Sequence, residues 1–444
     1  MMRTAIVLIL MLSSFAAPAV QLDPWLKPGF TIRDQNHRPS ASSIEADSFF
    51  IEGRLGLSDT LTNEWSWFID ARTQVFTKDA SLIDDNELER SIDNDENYFL
   101  QLREAWIRYA GLTNYPNEYL TLGLQRLRER TGLWWDVDIE SLSWYGDTTK
   151  LDWLIAFGQE FETFRTESKL LQQNEKVFRV FGETSWDWQA YHSIDVRFAH
   201  ATQDGDPLIN LNRLSGIGNN VNVNWLAIGL SSEWTEQRYA SQWAYRLEWI
   251  EQRGDTTFLS TTNQTLPKDI RSRAFDAGVR YTFSNNTVSI GLTFVKGSGG
   301  NTETETNNFS QTGLHTNRAR HFGNDQYMYR FNEALRADLS NLEHMSVFVS
   351  WDPYAYLQTV VMLGMYSKSD DQQPIFVTGR PIDSVAGEKY VGKSADVNLT
   401  YYPQNQTFWN MNLLRFRVGV FTPGAGLTDQ STDFRMTLEA QFRY

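Results

Sequence analysis

The residues in this chain that could do chemistry are arginines. They recur at alternate positions of short apolar–polar runs, as Arg54, Arg72, Arg197, Arg246, Arg280, Arg415, Arg417, Arg435 and Arg443. Acids of the same parity on the same runs are fewer: Glu52, Asp70, Asp195, Glu248, Asp276 and Glu439. A guanidinium stays charged and offers a planar fork of donors that matches a carboxylate. Arginines ringing a constriction favour anions. The chemistry expected is therefore passage of a carboxylated solute, with no bond broken. For any single arginine, bracing a neighbouring acid is an equally good reading, so the excess carries the inference. Covalent catalysis has little to work with. There is no cysteine and there are only six histidines, no G-x-S-x-G elbow and no Ser–His–acid set. His192 and His200 fall on the apolar parity and read as interfacial residues. No cofactor is expected. Asp93, Asp95 and Asn97 match the first ligand positions of a calcium loop, with Glu104 at the twelfth. Tyr98 occupies the position of the turn glycine, however, and no helices flank it, so a solvated loop is expected there and no metal site.

The element that would position such arginines is a β-strand with one face in lipid and one in water. Phe434–Tyr444 alternates strictly, with Phe434, Met436, Leu438, Ala440, Phe442 and Tyr444 on one parity and Arg435, Thr437, Glu439, Gln441 and Arg443 on the other. The same period recurs in Phe275–Phe283 and Val288–Phe294, joined by the short turn Ser284–Asn286. It recurs again in Trp243–Trp249, Ile194–Phe198, Trp65–Val75 and Leu414–Val420. Long polar stretches, Thr77–Asn97, Thr202–Asn222, Gly297–Asn324 and Ser367–Lys393, alternate with much shorter connections. Long loops at one end and tight turns at the other, with a period of two, predict an all-β transmembrane antiparallel barrel in the outer membrane. At about 22–25 residues per strand and loop the chain yields roughly 16–18 strands, monomeric, both termini on the periplasmic side. A barrel that wide leaves an aqueous lumen unless loops fill it. Aromatic residues at 14% and the absence of cysteine agree with this class. A net charge of −15 makes nucleic acid a poor partner.

Met1–Ala19 reads as a secretory signal: Arg3, an apolar stretch Ala5–Leu12, and the small-x-small run Ala17-Pro18-Ala19. Its apolar stretch is too short to span a bilayer as a helix. The expected organisation is thus a cleaved segment, 1–19, and a single barrel domain, 20–444. Outer-membrane lipid is then one partner.

Two places break the alternation. Gln101 and Arg103 share the lumen parity, yet Glu104 falls on the lipid parity beside Trp106. A bare glutamate in lipid is costly, so a β-bulge at Arg103-Glu104 is expected to turn both charges inward. Arg126 shares the parity of Leu120, Leu122 and Leu124 and is expected to leave the strand and enter the lumen.

The run Leu102-Arg103-Glu104-Ala105-Trp106 through Tyr115-Pro116 resembles the alginate export outer-membrane family. So do Gly123–Glu129, Gly132-Leu133-Trp134-Trp135-Asp136, Phe161–Glu167, Lys296–Gly300, Gln311–Arg318, Arg330–Leu342, Leu414–Arg417 and Phe421–Gly424. The resemblance implies a monomeric barrel of 18 strands around a narrow electropositive conduit for the polyuronate alginate. It implies pore arginines at Arg54, Arg103, Arg126, Arg318 and Arg415, with Glu104, Asp136 and Glu167 as the acids that position them. It also implies periplasmic polysaccharide-secretion partners. Two departures stand out. A further basic position of the family falls on Tyr327 here, which predicts a less positive constriction. Only about Pro403–Asn412 precedes the penultimate strand, which leaves little chain for the periplasmic lid of some relatives. The expected function is export of an anionic polysaccharide, most specifically alginate. The alternative is an uptake porin for anionic oligosaccharides or small organic acids. An enzyme is not expected, and an adhesive barrel is a weaker option.

Overall fold

The computed structural model describes residues 20–37, 44–77, 91–92, 98–115, 117–166, 169–170, 176–203, 219–232, 242–259, 265–283, 287–320, 326–377, 379–404 and 410–443. The proposed signal segment, the acidic stretch Asp79–Glu96 except 91–92, and Glu167 lie outside the described residues.

Eighteen strands build the wall. In chain order they are β1 (Gln21–Gln35), β2 (Ile44–Thr60), β3 (Trp65–Phe76), β4 (Tyr98–Tyr109), β5 (Tyr119–Arg128) and β6 (Asp136–Asp147). Next come β7 (Leu151–Gln159), β8 (Val177–Gln189), β9 (His192–Gln203), β10 (Asn219–Ser232), β11 (Trp243–Leu259) and β12 (Thr265–Thr282). The last six are β13 (Val288–Gly297), β14 (Leu342–Tyr354), β15 (Leu357–Lys368), β16 (Tyr390–Tyr401), β17 (Met411–Pro423) and β18 (Asp433–Arg443). Each pairs antiparallel with its neighbours, and β18 returns to β1 in the register Trp25↔Arg443 to Asp34↔Phe434. The ring is closed, so no sheet edge is left to lipid, as a membrane span demands. The strand count falls at the upper end of the expected range.

Parity explains the strands. On β18, Asp433, Arg435, Thr437 and Glu439 are buried inside, while Leu438 is 44% exposed on the outer wall. On β12, Ala274, Asp276 and Arg280 are buried, and Val279 is exposed on the outside. Outward aromatics gather near the strand ends: Trp65 lies 4.7 Å from Tyr109, Trp243 4.8 Å from Tyr281, and His192 5.7 Å from both Trp188 and Tyr245. His192 is thus part of an interfacial aromatic belt.

The lumen is not empty. Residues 298–320 and 326–341, between β13 and β14, fold into it, and so does 129–135 between β5 and β6. Trp135 and Leu314 form a parallel bridge between these two segments. Phe309, Leu314, Phe331, Leu335 and Leu339 of the long loop join Trp134, Trp135, Phe181 and Trp225 in one buried apolar cluster. Gly132 is where the two loops touch. Its φ is +71°, and a Cβ there would lie 2.0 Å from the Arg318 carbonyl oxygen, so only glycine fits. Polar ties fasten the filling to the wall. Trp225 Nε1 donates to Ser310 O at 2.8 Å, and Asn332 Nδ2 to Asp396 Oδ1 at 2.9 Å. Arg330 donates two hydrogen bonds to Asp276, at 3.0 and 2.6 Å. Glu333 meets Arg417 at 2.8 Å and Arg435 at 3.7 Å.

Among the described residues, the wall parts between β4 and β5. β4 and β5 pair only from Tyr109↔Leu120 up to Ala105↔Leu124, while β5 and β6 stay paired to Arg128↔Asp136. Beyond Leu124 the β5–β6 hairpin therefore parts from β4. Residues 164–166 take its place there: Leu102 N donates to Phe164 O and Thr166 N to Leu100 O, each at 2.9 Å. Gly123, with φ +130° and the Ala105 carbonyl 2.3 Å from a would-be Cβ, sits at the parting point.

Candidate functional site

The bulge at the Arg103-Glu104 step is present. Glu104 pairs with Asp70 and Leu102 with Ala71, which leaves Arg103 as the extra residue. Both charges consequently face the lumen. Arg103 Nε donates to Asp138 at 3.1 Å. Glu104 lies 3.6 Å from Arg54, and accepts from Trp106 Nε1 at 3.2 Å and from the Arg126 backbone N–H at 3.4 Å.

Arg126 requires a correction. It does not leave its strand, because β5 carries it in register with Asp138. The hairpin carrying it parts from the wall instead. That separation turns a face that would have met lipid toward β4, where Arg103 and Asp138 meet. Arg126 then contacts Asp136 at 2.7 Å and Asp138 at 3.7 Å, and Arg128 contacts Asp136 at 2.8 Å. Thr316 of the filling loop also donates to Asp136, at 3.2 Å. A narrow cleft between hairpin and wall is lined by Arg103, Arg126, Asp136, Asp138, Glu160 and Glu162.

These contacts form a belt. Arg415 on β17 pairs with Glu439 on β18. Lys27 on β1 lies 4.0 Å from Glu439 and 2.9 Å from Glu52 on β2. Arg54 on β2 donates to Asp70 on β3 at 2.7 Å. Glu104, Arg103, Asp138, Arg126, Asp136 and Arg128 continue it across β4, β5 and β6. Cations and carboxylates alternate along it, so each guanidinium is held in place by an acid.

The filling loop supplies the opposite side. Arg318-Ala319 pairs with Met328-Tyr329 in a short hairpin. Gln326 accepts from Arg415 Nη1 at 3.2 Å. The Tyr327 ring lies between two guanidiniums, Arg128 at 4.2 Å and Arg320 at 4.6 Å. Two consecutive loop residues thus contact β17 and β5, strands separated by five others, and the lumen narrows there. Tyr327 is itself neutral but has two cations at its ring. Arg318 is buried, with its guanidinium 5.4 Å from the Tyr329 ring.

The structure therefore brings Arg54, Arg103, Arg126, Glu104 and Asp136 into one contact network. Arg415 belongs to a second run, through Glu439 and Lys27 to Glu52, which lies two residues before Arg54 on β2, and Arg318 is carried by the filling loop. Other lumen-parity arginines do different work. Arg197 and Arg246 close a buried cluster with Glu248 and Asp276 behind the filling, with contacts of 2.5 to 3.0 Å. Removing one partner of such a buried pair costs about 3–5 kcal/mol, so these residues anchor the loop. Arg443 reaches the rim, where it pairs with exposed Asp23 at 2.7 Å. Asp138, Arg128, Lys27 and Gln326 were missed by parity alone. Asp136-x-Asp138 facing Arg126-x-Arg128 on a neighbouring strand was a readable signal for two of them.

Residues 31–438 match the family model described as alginate export. The chain belongs to the alginate export family. It is 32% identical over 353 residues to the alginate production protein AlgE of Pseudomonas aeruginosa, covering 73% of this chain and 70% of that protein. The AlgE of Azotobacter vinelandii is 28% identical over 332 residues, 68% of each chain. Among solved structures it resembles Pseudomonas aeruginosa OpdK, crystallised with vanillate, at a TM-score of 0.60 and 11% identity, covering 96% of this chain and 98% of that one. Acinetobacter baumannii OccAB4 superposes at 0.57 with 11% identity, covering 96% and 98% of the two chains. Those two likenesses are of fold. This alginate export barrel lies in the bacterial outer membrane and is a polysaccharide channel, not an enzyme.

Proposed function

We propose that alginate leaves the cell by handing its uronate carboxylates along the arginine belt, from Arg415 and Arg54 to Arg103, Arg126 and Arg128, with Arg318 facing them. The observation that supports this reading most is the row of arginines paired with carboxylates on the strands from β17 to β6, beside the loop residues Gln326 and Tyr327 that reach both β17 and β5. A guanidinium has five N–H donors in a fixed fork. One structural carboxylate leaves some of them for a passing one. The built-in acids also compete with the cargo, which keeps each stop weak. Conduction needs sites favourable enough to enter and weak enough to leave. In this reading Met1–Ala19 is removed during export of the protein, the barrel works as a monomer, and the periplasmic mouth receives polymer from periplasmic secretion proteins.

The test is planar-bilayer conductance of the refolded barrel under a salt gradient, before and after adding polymannuronate or polyguluronate. Anion preference and block by polyuronate are expected. Arg103→Glu or Arg415→Glu should reduce the anion preference and weaken polymer block about tenfold, the scale of one charge-assisted hydrogen bond. An unchanged reversal potential in both variants would sink the proposal. A channel indifferent to polyuronate but open to small organic acids would favour uptake.

A further inference from the structure

The outer wall carries a second group of arginines, on β11 and β12. Outward positions of β11 pass from Trp243, Leu247 and Trp249 to Arg253. Those of β12 pass from Tyr281, Val279 and Phe275 to Arg273 and Arg271. The register sets Trp243 opposite Tyr281, Trp249 opposite Phe275 and Arg253 opposite Arg271. Arg253 thus stands ten residues beyond the lower aromatic pair. At about 3.3 Å per residue and a tilt of about 40°, that is about 25 Å, the height of the apolar band of such a barrel. The guanidiniums therefore sit on the long-loop side, where acyl chains end and headgroups begin.

Like charges directly opposite one another destabilise a strand pair, and the nearby acids relieve this only weakly. Glu251 lies 3.9 Å from Arg253, and Asp269 lies 3.7 Å from Arg271. The two arginine side chains are 77% and 67% exposed, and ion pairs that open to solvent contribute little. Arg273 lies 5.8 Å from the Trp249 ring. Beside Arg253 the same level continues into Asn224 of β10 and His200 of β9, which are hydrogen-bonded at 3.0 Å. On the other side, β13 ends at Gly297 and the start of the next loop covers β12. The Arg273 backbone N–H donates to Ser298 Oγ at 3.0 Å, and that of Asp269 to Thr304 O at 2.9 Å. The three arginines consequently line a groove with the sheet as its floor and Ser298, Gly299 and Asn307 along its side.

We infer that this groove holds the phosphate of a glycolipid of the outer leaflet, with the acyl chains lying on the apolar face below it. A phosphate accepts the forked donors of a guanidinium well, and one placed between Arg253 and Arg271 neutralises their repulsion. Cations at a membrane surface attract anionic headgroups in the same way. Asn224 and His200 offer polar partners to the sugar. Glu251 and Asp269 oppose a free anion, so the apolar contacts of the chains are needed to hold this one. The groove is on the opposite face of the wall from the belt and does not depend on what the channel carries.

The experiment is native mass spectrometry of the full, delipidated barrel in detergent with EDTA. The barrel is titrated with bisphosphorylated lipid A, with the same lipid dephosphorylated, and with inorganic phosphate as competitor. Wild type should bind the phosphorylated lipid about tenfold more tightly than the dephosphorylated one. Arg253→Gln/Arg271→Gln should abolish that preference and leave channel conductance unchanged. Inorganic phosphate should not displace the lipid. Equal affinity for the two lipids in wild type would mean ordinary boundary lipid and overturn the inference. So would a preference that survives in the double variant. Displacement by inorganic phosphate would make the groove a free-anion site and also overturn it. If the double variant does not refold, Arg273→Gln tests the same groove, and an undiminished preference there has the same consequence.

Discussion

Gly132 shows how a single residue can set an aperture. Its positive φ and the close Arg318 carbonyl leave no room for a side chain. Gly132→Ala should displace Arg318 and its hairpin, at a cost of about 1 kcal/mol or more. The expected outcome is a folded barrel with higher single-channel conductance and weaker anion preference. Identical conductance and selectivity would mean that the contact does not set the width. At this scale the sequence was legible where lipid imposes a rule. Leu438 and Val279 face lipid because burying a charge there is costly, and that dictates where Arg435 and Arg280 point. The partners of those arginines were not legible. Glu333 and Gln326 reach Arg417 and Arg415 only because a loop far along the chain folds inward, and no local pattern announces that.

Among the elements, the closing seam is the most exposed to solution conditions. His37, just beyond β1 on the loop side, contacts Asp433 Oδ1 through Nδ1 at 3.1 Å and the Asp429 carbonyl through Nε2 at 3.1 Å. Burial pulls its pKa down, but the Asp433 carboxylate and the Asp429 carbonyl outweigh burial, and the pKa ends above its ordinary 6.5. A folded-state pKa raised this way gives stability that is full below about 6.5 and is lost as pH rises through the folded value. The heat-unfolding midpoint of the barrel in detergent should accordingly fall as pH is raised across that window, and His37→Gln should flatten the dependence. A midpoint that rises with pH in wild type would contradict the clasp. Strand existence was legible from period two throughout, and so was the bulge in β4, because a charge on the lipid face forces one. The parting of β5 from β4 was not. Its residues alternate like any wall strand, and only the missing pairs beyond Ala105↔Leu124 reveal that the hairpin separates.

For the whole molecule, conduction depends on how the filling divides the lumen. The loop between β13 and β14 packs Phe309, Leu314, Phe331, Leu335 and Leu339 into the apolar cluster, while its Gln326 and Tyr327 meet Arg415 and Arg128 of the belt. Replacing 318–329 by a short Gly-Ser linker should keep the barrel and raise conductance severalfold, with loss of ion preference, because a lumen of this many strands is wide once unfilled. Conductance unchanged after that deletion would place the constriction elsewhere. Class, compartment and the choice of an anionic cargo were readable from parity, composition and the arginine excess. The aperture was not, since it arises where one long loop meets strands from both ends of the chain.

That meeting has a temporal side. Glu333 reaches Arg417 on β17 and Arg435 on β18, and the next residue's carbonyl accepts from Gln35 on β1. The loop is therefore stitched across the one joint that connects the first strand to the last. Until those two strands meet, its final resting place does not exist. Sealing the ring is thus what completes this part of the loop's seat. A barrel whose first and last strands have not met would hold the loop by its apolar cluster alone, with these last three ties missing.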